Sequence, residues 1–381
     1  MDVPASLLDF SLVQGTLLGQ KLRRARHRQT SRPARILVLT LVAWLPLLVL
    51  SLLGGGLGMT RAFLHDVGTQ VAFLVSLPLL VACERYIDLN EKAAVRQFVV
   101  SELIAPKDLA TYERIARDVV PMRRSAIIEA GLLAASIAVS LLDVPHVTSR
   151  PAWLHAQPQG PLTLAGWWYL AVSMPILRFL LLRWLWRGVL WARFLFKVSR
   201  LPLTLVPTHP DAAGGLGFLG TVQASFSLIV LAVSATITTH RLSHASTTDI
   251  TDYALHLFTF ALLCMAVIFA PLMSFFRQLL MAKRKGDHHY SAVAAWHSQR
   301  FEERWFHRKL PEGLDPLSAE DFSSLTDLGS SFVAARRMRW FPVDIRAALA
   351  VIAAAMAPMV PLLLADRRFV EVLLELGKSL H

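Results

Sequence analysis

The chain has 381 residues, 54% of them hydrophobic and 17% charged, with a mean hydropathy of +0.48, which excludes an ordinary soluble globular domain and points to a membrane protein. The formal net charge of +12 would recommend nucleic acid as a partner of a soluble domain; here its distribution along the chain assigns it to membrane topology and excludes that class. Cys83 and Cys264 fall in separate apolar runs and imply no disulfide framework.

Residues 1–20 place Leu7, Leu8, Phe10, Val13, Leu17 and Leu18 on one broad helical face, the pattern of an interfacial helix. A basic run, Lys21 to Arg35, precedes the apolar stretch Ile36 to Leu53. That stretch is too long for a signal peptide and lacks a small-residue cleavage site, so it reads as a retained span. Apolar segments of similar length follow at 68–83, 125–142, 164–182, 222–239, 253–276 and 347–364. Each covers ~30 Å of hydrocarbon at ~1.5 Å per residue, with allowance for tilt. The expected fold class is therefore all-α, a polytopic helical membrane protein of seven spans with a small helical cytoplasmic part. Pro46, Pro78, Pro175, Pro271, Pro358 and Pro361 lie within these spans and predict kinks rather than breaks. No internal repeat is evident.

Segments 1–35, 84–124, 183–221 and 277–346 hold 32 of the 39 Lys and Arg residues. By the positive-inside rule these segments and the N-terminus are cytoplasmic, and the loops 54–67, 143–163 and 240–252 lie outside. Residues 84–124 read as a pair of charged helices broken at Ala105-Pro106, with the mixed charge of a solvated surface. Residues 277–346 contain two more helices, and 347–381 a last span followed by an amphipathic tail. Arg367 and Arg368 after that span leave a re-entrant segment as the alternative.

The most unusual local chemistry joins two apolar helices at 201–221. Pro207, His209, Pro210 and Asp211 are followed by Gly214, Gly215, Gly217 and Gly220. The literal G-x-G-x-x-G from Gly215 to Gly220 has no strand before it and no βαβ unit around it, which excludes a dinucleotide site. Asp211 is placed to cap the following helix, and the glycines permit close backbone approach. That approach is either to a neighbouring helix or, as a donor cluster at a helix N-terminus, to a ligand. The stretches VSRLPLTLVPTHPDAAGGLGFLG, FEERWFHRKL and LSAEDFSSLTDLGSSFVAARRMRWFPVDIR resemble a family of bacterial polytopic inner-membrane proteins carrying a PTHPDxxGGLGFLG-type motif. The resemblance covers most of the chain from residue 84. It implies a bacterial inner (plasma) membrane and no assigned activity, ligand or catalytic residue.

Ionisable residues inside a span are expensive and therefore informative. Glu129 lies near the cytoplasmic end of the third span and Arg178 near the same end of the fourth; the expectation is an ion pair, or a hydrated site on an ion route. Arg183 and Arg187 continue the arginine face toward the cytoplasm. They read either as snorkelling side chains at a helix exit or as the lining of a vestibule. Outside, His240 and His244 stand one helical turn apart, followed by Asp252 and His256. This set admits a divalent metal on the periplasmic side, or else solvated loop histidines. No other cofactor is indicated, and no hydrolase, metalloprotease or Walker signature is present. The resulting expectation is a channel or transporter for a small ion or solute, surrounded by membrane lipids and assembled as a homo-oligomer, with pathway residues Glu129, Arg178, Arg183 and Arg187. The alternatives are a sensor or scaffold that couples periplasmic metal or pH to a cytoplasmic protein partner, and a membrane-embedded lipid-modifying enzyme.

Overall fold

A computed structural model describes residues 32–123, 125–142, 152–155, 160–242, 250–303 and 320–360. The N-terminal interfacial helix, most of the basic run and the C-terminal tail lie outside these residues. Eleven helices are defined here: α1 Arg32–His65, α2 Val67–Val100, α3 Leu109–Arg123, α4 Ala126–Leu142, α5 Leu164–Val198, α6 Phe218–Ser225, α7 Ser227–Leu242, α8 Ile250–Phe269, α9 Phe276–Glu302, α10 Glu320–Arg337 and α11 Ile345–Met356. No strand occurs among the described residues; the antiparallel bridges Ile104 with Leu203 and His155 with Leu162 are isolated.

Among the described residues, five helical stretches are long and apolar enough to cross a membrane: Pro33–His65, Val67–Val100, Leu164–Val198, Phe218–Thr239 and Leu255–Glu302. The remaining two expected spans are helical but shorter, Ala126–Leu142 and Ile345–Met359. Helix α1 carries Leu37, Leu41, Leu45, Val49 and Leu52 exposed at successive turns, an apolar stripe with the character of a lipid-facing surface. Its course changes at Gly56, whose φ of 62° and ψ of −154° are non-helical.

Helices α2 and α5 form the centre, and they are built alike. A side chain caps each: Asp66 accepts the Thr69 N–H, and Thr163 accepts the Gly166 N–H. One turn on, each widens into a π-helical turn, Ala72–Ser76 and Tyr169–Ser173, and then resumes as α-helix with Pro78 or Pro175 in its first turn. The wide turn relieves the clash between the proline ring and the carbonyl four residues earlier. The two sequences involved, FLVSLPLL at 73–80 and LAVSMPIL at 170–177, constitute a short internal repeat that overall hydropathy conceals. The equivalent serines do equivalent work. Ser76 donates to the Ala232 carbonyl of α7, and Ser173 to the Ala43 carbonyl of α1, at 2.8 and 2.7 Å. Hydrogen bonds of this kind between membrane helices contribute about 1 kcal/mol each. Helix α11 fills the groove beside α7 and α8, with Val351 and Ala355 fully buried and Ser234 bonded to the Ala355 carbonyl.

At the opposite end from the caps the chain is knotted together. The β-bridge joins the segments after α2 and α5, and the Thr204 N–H donates to the Leu103 carbonyl at 2.9 Å. The Gln278 side chain of α9 closes the carbonyls of Ser199 and Leu201. Helix α10 packs along α9, and Lys283 reaches the carbonyls of Arg336 and Met338 at the end of α10.

Candidate functional site

The glycine-rich loop folds around Asp211. Its Oδ1 accepts the N–H groups of Ala213 and Gly215 at 2.7 and 3.2 Å, and its Oδ2 accepts that of Gly217 at 2.7 Å. The backbone converges in this way because Ala212, Gly214 and Gly215 all have positive φ (52°, 65° and 98°), which turns successive N–H groups toward one point. His209 Nδ1 lies 2.8 Å from Asp211 Oδ1 and 3.3 Å from the Asp211 backbone nitrogen. Burial acts to raise the Asp211 carboxyl, but the three backbone donors and His209 outweigh it and hold the group below its ordinary value. The converging N–H groups are thus taken by the chain's own carboxylate. Arg339 completes the arrangement by donating to the carbonyls of Asp211, Ala212 and Val343. A Cβ on Gly214 would meet Met338 Cε at 2.9 Å, one on Gly215 would meet Leu103 Cδ2 at 3.0 Å, and one on Gly217 would meet Asp211 Cβ at 2.8 Å. The loop is thus a packed joint between α2, α5, α6 and the α9–α10 arm.

A second constellation lies within the central helices. Glu84, 7% exposed, is reached by three arginines from two other helices: Arg35 of α1 at 3.8 Å, and Arg183 and Arg187 of α5 at 3.6 and 3.2 Å. Their side-chain exposures fall in order, 45%, 13% and 4%, so the guanidinium groups form a graded series from surface to interior. Arg187 also lies over the Trp184 ring at 4.6 Å. On α2 the same buried face continues through Asp88, paired with Lys92 at 2.8 Å, to Glu91. The level of the cluster follows from the caps. Trp153 donates to Asp66 Oδ2 at 3.1 Å, and its carbonyl accepts the Thr163 hydroxyl at 3.1 Å, so α2 and α5 start together. Glu84 lies about 27 Å and Arg183 about 30 Å along their helices from these caps, roughly one hydrocarbon thickness away. No family model, curated protein or solved structure matches the chain.

The expected Glu129–Arg178 juxtaposition does not form. Arg178 donates to Ser140 Oγ at 2.8 Å, and Ser140 stands about 16 Å along α4 from Glu129, beyond the reach of one arginine. The antiparallel pairing of α4 with α5 sets these depths, and it gives Arg183 the field of Glu129 instead. Arg183 and Arg187 are brought together, and they meet a carboxylate that hydropathy had assigned to a solvated helix. The expected metal set is only partly described: His244 lies outside the described residues, the side chains of His240 and Asp252 are likewise outside them, and His256 is exposed. Among the described residues no three His, Cys, Asp or Glu side chains group as metal ligands. The residues missed from sequence were Glu84, Asp88 and Glu91. Their signal was spacing, since i, i+4 and i+7 share one helical face with Cys83, Ile87 and Val95.

Proposed function

We propose that the protein moves a small ion or solute across a bacterial inner membrane, with seven spans, a cytoplasmic N-terminus, and the Glu84 network closing the route at its cytoplasmic end. One observation carries this reading: a single carboxylate within the central helices is shared by three arginines of decreasing exposure, contributed by two neighbouring helices. Charge placed at this depth is costly unless it serves a pathway or locks a contact, and a shared carboxylate is a lock that opens when one partner moves or is neutralised. Arg35 and Arg183, held at more than hydrogen-bond distance from Glu84, are the outer members of that lock.

The test is flux. Purified protein in proteoliposomes, challenged in turn with proton, potassium and chloride gradients, is expected to dissipate at least one of them faster than protein-free vesicles. Rates equal to those of empty vesicles for every ion, with the protein folded and inserted, refute the reading. A sensor or scaffold is the second reading. It draws on Lys283, which bonds α9 to the end of α10, and on Arg339, which ties that arm to the Asp211 loop, so that a partner bound to the arm would be coupled to the central helices. Partner binding that responds to pH between about 5 and 8 without flux would favour it.

A further inference from the structure

The Glu84 lock gathers more positive charge than it neutralises. Arg187 hydrogen-bonds the carboxylate, while Arg35 and Arg183 approach it only to 3.8 and 3.6 Å. Glu129 acts on Arg183 from farther away than an ion pair. Among the described residues neither Arg35 nor Arg183 donates a hydrogen bond. Two guanidinium groups, each a planar fork of N–H donors, are thus drawn to one place without being used there. Donors held in this way at a membrane boundary favour an anion that can fill them.

Helix α1 shows what lies beside them. Arg35 immediately precedes Ile36, where the first apolar run begins. Steps of three and four residues carry its face on through Val38, Val42, Leu45, Val49 and Leu52, all of them exposed. Arg35 therefore heads an apolar stripe at the level where hydrocarbon gives way to headgroups. Arg183 reaches the same level from α5, since both arginines meet the same carboxylate.

We propose that Arg35 and Arg183 bind the phosphate of an anionic phospholipid, whose acyl chains lie along the exposed stripe of α1. Guanidinium forks match phosphate oxygens in geometry as well as charge. The surplus of cations over the single carboxylate selects a lipid of net negative charge, because a choline group would return a positive one to the site. A free phosphate gains nothing from the apolar stripe, whereas a lipid buries its chains there. Glu84 is the competing anion: it draws the two arginines together but leaves their N–H groups for the phosphate. On the transport reading the bound phosphate pulls Arg35 and Arg183 from Glu84 and loosens the lock, so that anionic lipid speeds flux. That consequence rests on the transport reading; the binding itself does not.

Native mass spectrometry of the full chain in detergent, titrated with phosphatidylglycerol or with phosphatidylcholine of the same acyl chains, tests the site. The first phosphatidylglycerol is expected to bind more tightly than the first phosphatidylcholine, and Arg35→Gln and Arg183→Gln each to weaken it about fivefold. Arg35 is an exposed side chain, so its variant decides the matter even where Arg183→Gln fails to fold. Arg200→Gln is the control: its guanidinium lies over the Phe196 ring at 4.6 Å, outside the lock, and the affinity is expected to stay at the wild-type value. Equal losses in Arg200→Gln and Arg35→Gln reveal diffuse attraction and overturn the site, as does equal affinity for the two lipids. Displacement of the lipid by an equal concentration of inorganic phosphate overturns the lipid as the source of the phosphate. Lipid binding lost in Arg35→Gln, in a protein that carries no flux, refutes transport and leaves this site standing; flux in a protein without lipid preference does the reverse.

Discussion

Replacing Asp211 by alanine removes the acceptor of three backbone N–H groups, at 2.7, 3.2 and 2.7 Å. Hydrogen bonds to a charged group contribute about 1.5–3 kcal/mol each. The loop is only partly buried, so water replaces some of what is lost, and Arg339 still holds the Asp211 and Ala212 carbonyls. The net local cost is about 3 kcal/mol, roughly two decades in an opening equilibrium at ~1.4 kcal/mol per decade. Hydrogen exchange with mass-spectrometric readout is the assay, because a multi-helix membrane protein offers no single two-state transition. Peptides covering 206–220 are expected to exchange about 100-fold faster in Asp211→Ala, with α4 and the C-terminal half of α1 unchanged. The sign with pH follows from the depressed carboxyl: its stabilisation is full above the ordinary Asp value of ~3.9 and is lost as pH falls through the lower folded value. The difference between wild type and Asp211→Asn should therefore shrink only in strong acid. Unaltered exchange in Asp211→Ala, or acceleration spread over the whole chain, would refute the view of this loop as a joint held by one carboxylate.

Other consequences concern charge and packing. Glu84→Gln leaves Arg187 buried without its carboxylate, and loss of one partner of a buried ion pair costs about 3–5 kcal/mol; thermal inactivation in detergent is expected well below the wild type. Glu84→Gln combined with Arg187→Met should recover much of that loss, and a strictly additive double mutant would contradict direct coupling. Gly215→Ala forces an L residue to φ 98° and sets its Cβ 3.0 Å from Leu103, for an expected loss of about 2–4 kcal/mol. Wild-type stability in that variant would show that the loop has room the geometry denies it.

The all-helical class and the membrane character were legible because they rest on long apolar runs, which one-dimensional averaging reads well. Asp211 and its glycines were legible as a local joint for the same reason, since capping and positive φ are properties of short sequence. What hydropathy misread was the end of the second span. Averaging stops at Cys83 because Glu84, Asp88 and Glu91 lower the mean, yet the helix continues to Val100 with those carboxylates turned inward. Their burial depends on arginines on α1 and α5, far away in sequence. Arg178 went astray through depth: proximity to the end of a span says nothing about which residue of an antiparallel neighbour stands opposite, and the neighbour here is Ser140. The VSxPxL repeat went unseen because it is short and its meaning, a π-turn with a serine clasp, appears only in three dimensions.

The central claim is that Glu84 locks the cytoplasmic end of a transmembrane route, and proteoliposome flux through Glu84→Gln compared with Glu84→Asp tests it most directly. The account predicts faster, less selective ion leak through Glu84→Gln, with Glu84→Asp, which keeps the charge, close to wild type. Equal flux through both variants and the wild type, each correctly folded and inserted, would contradict it.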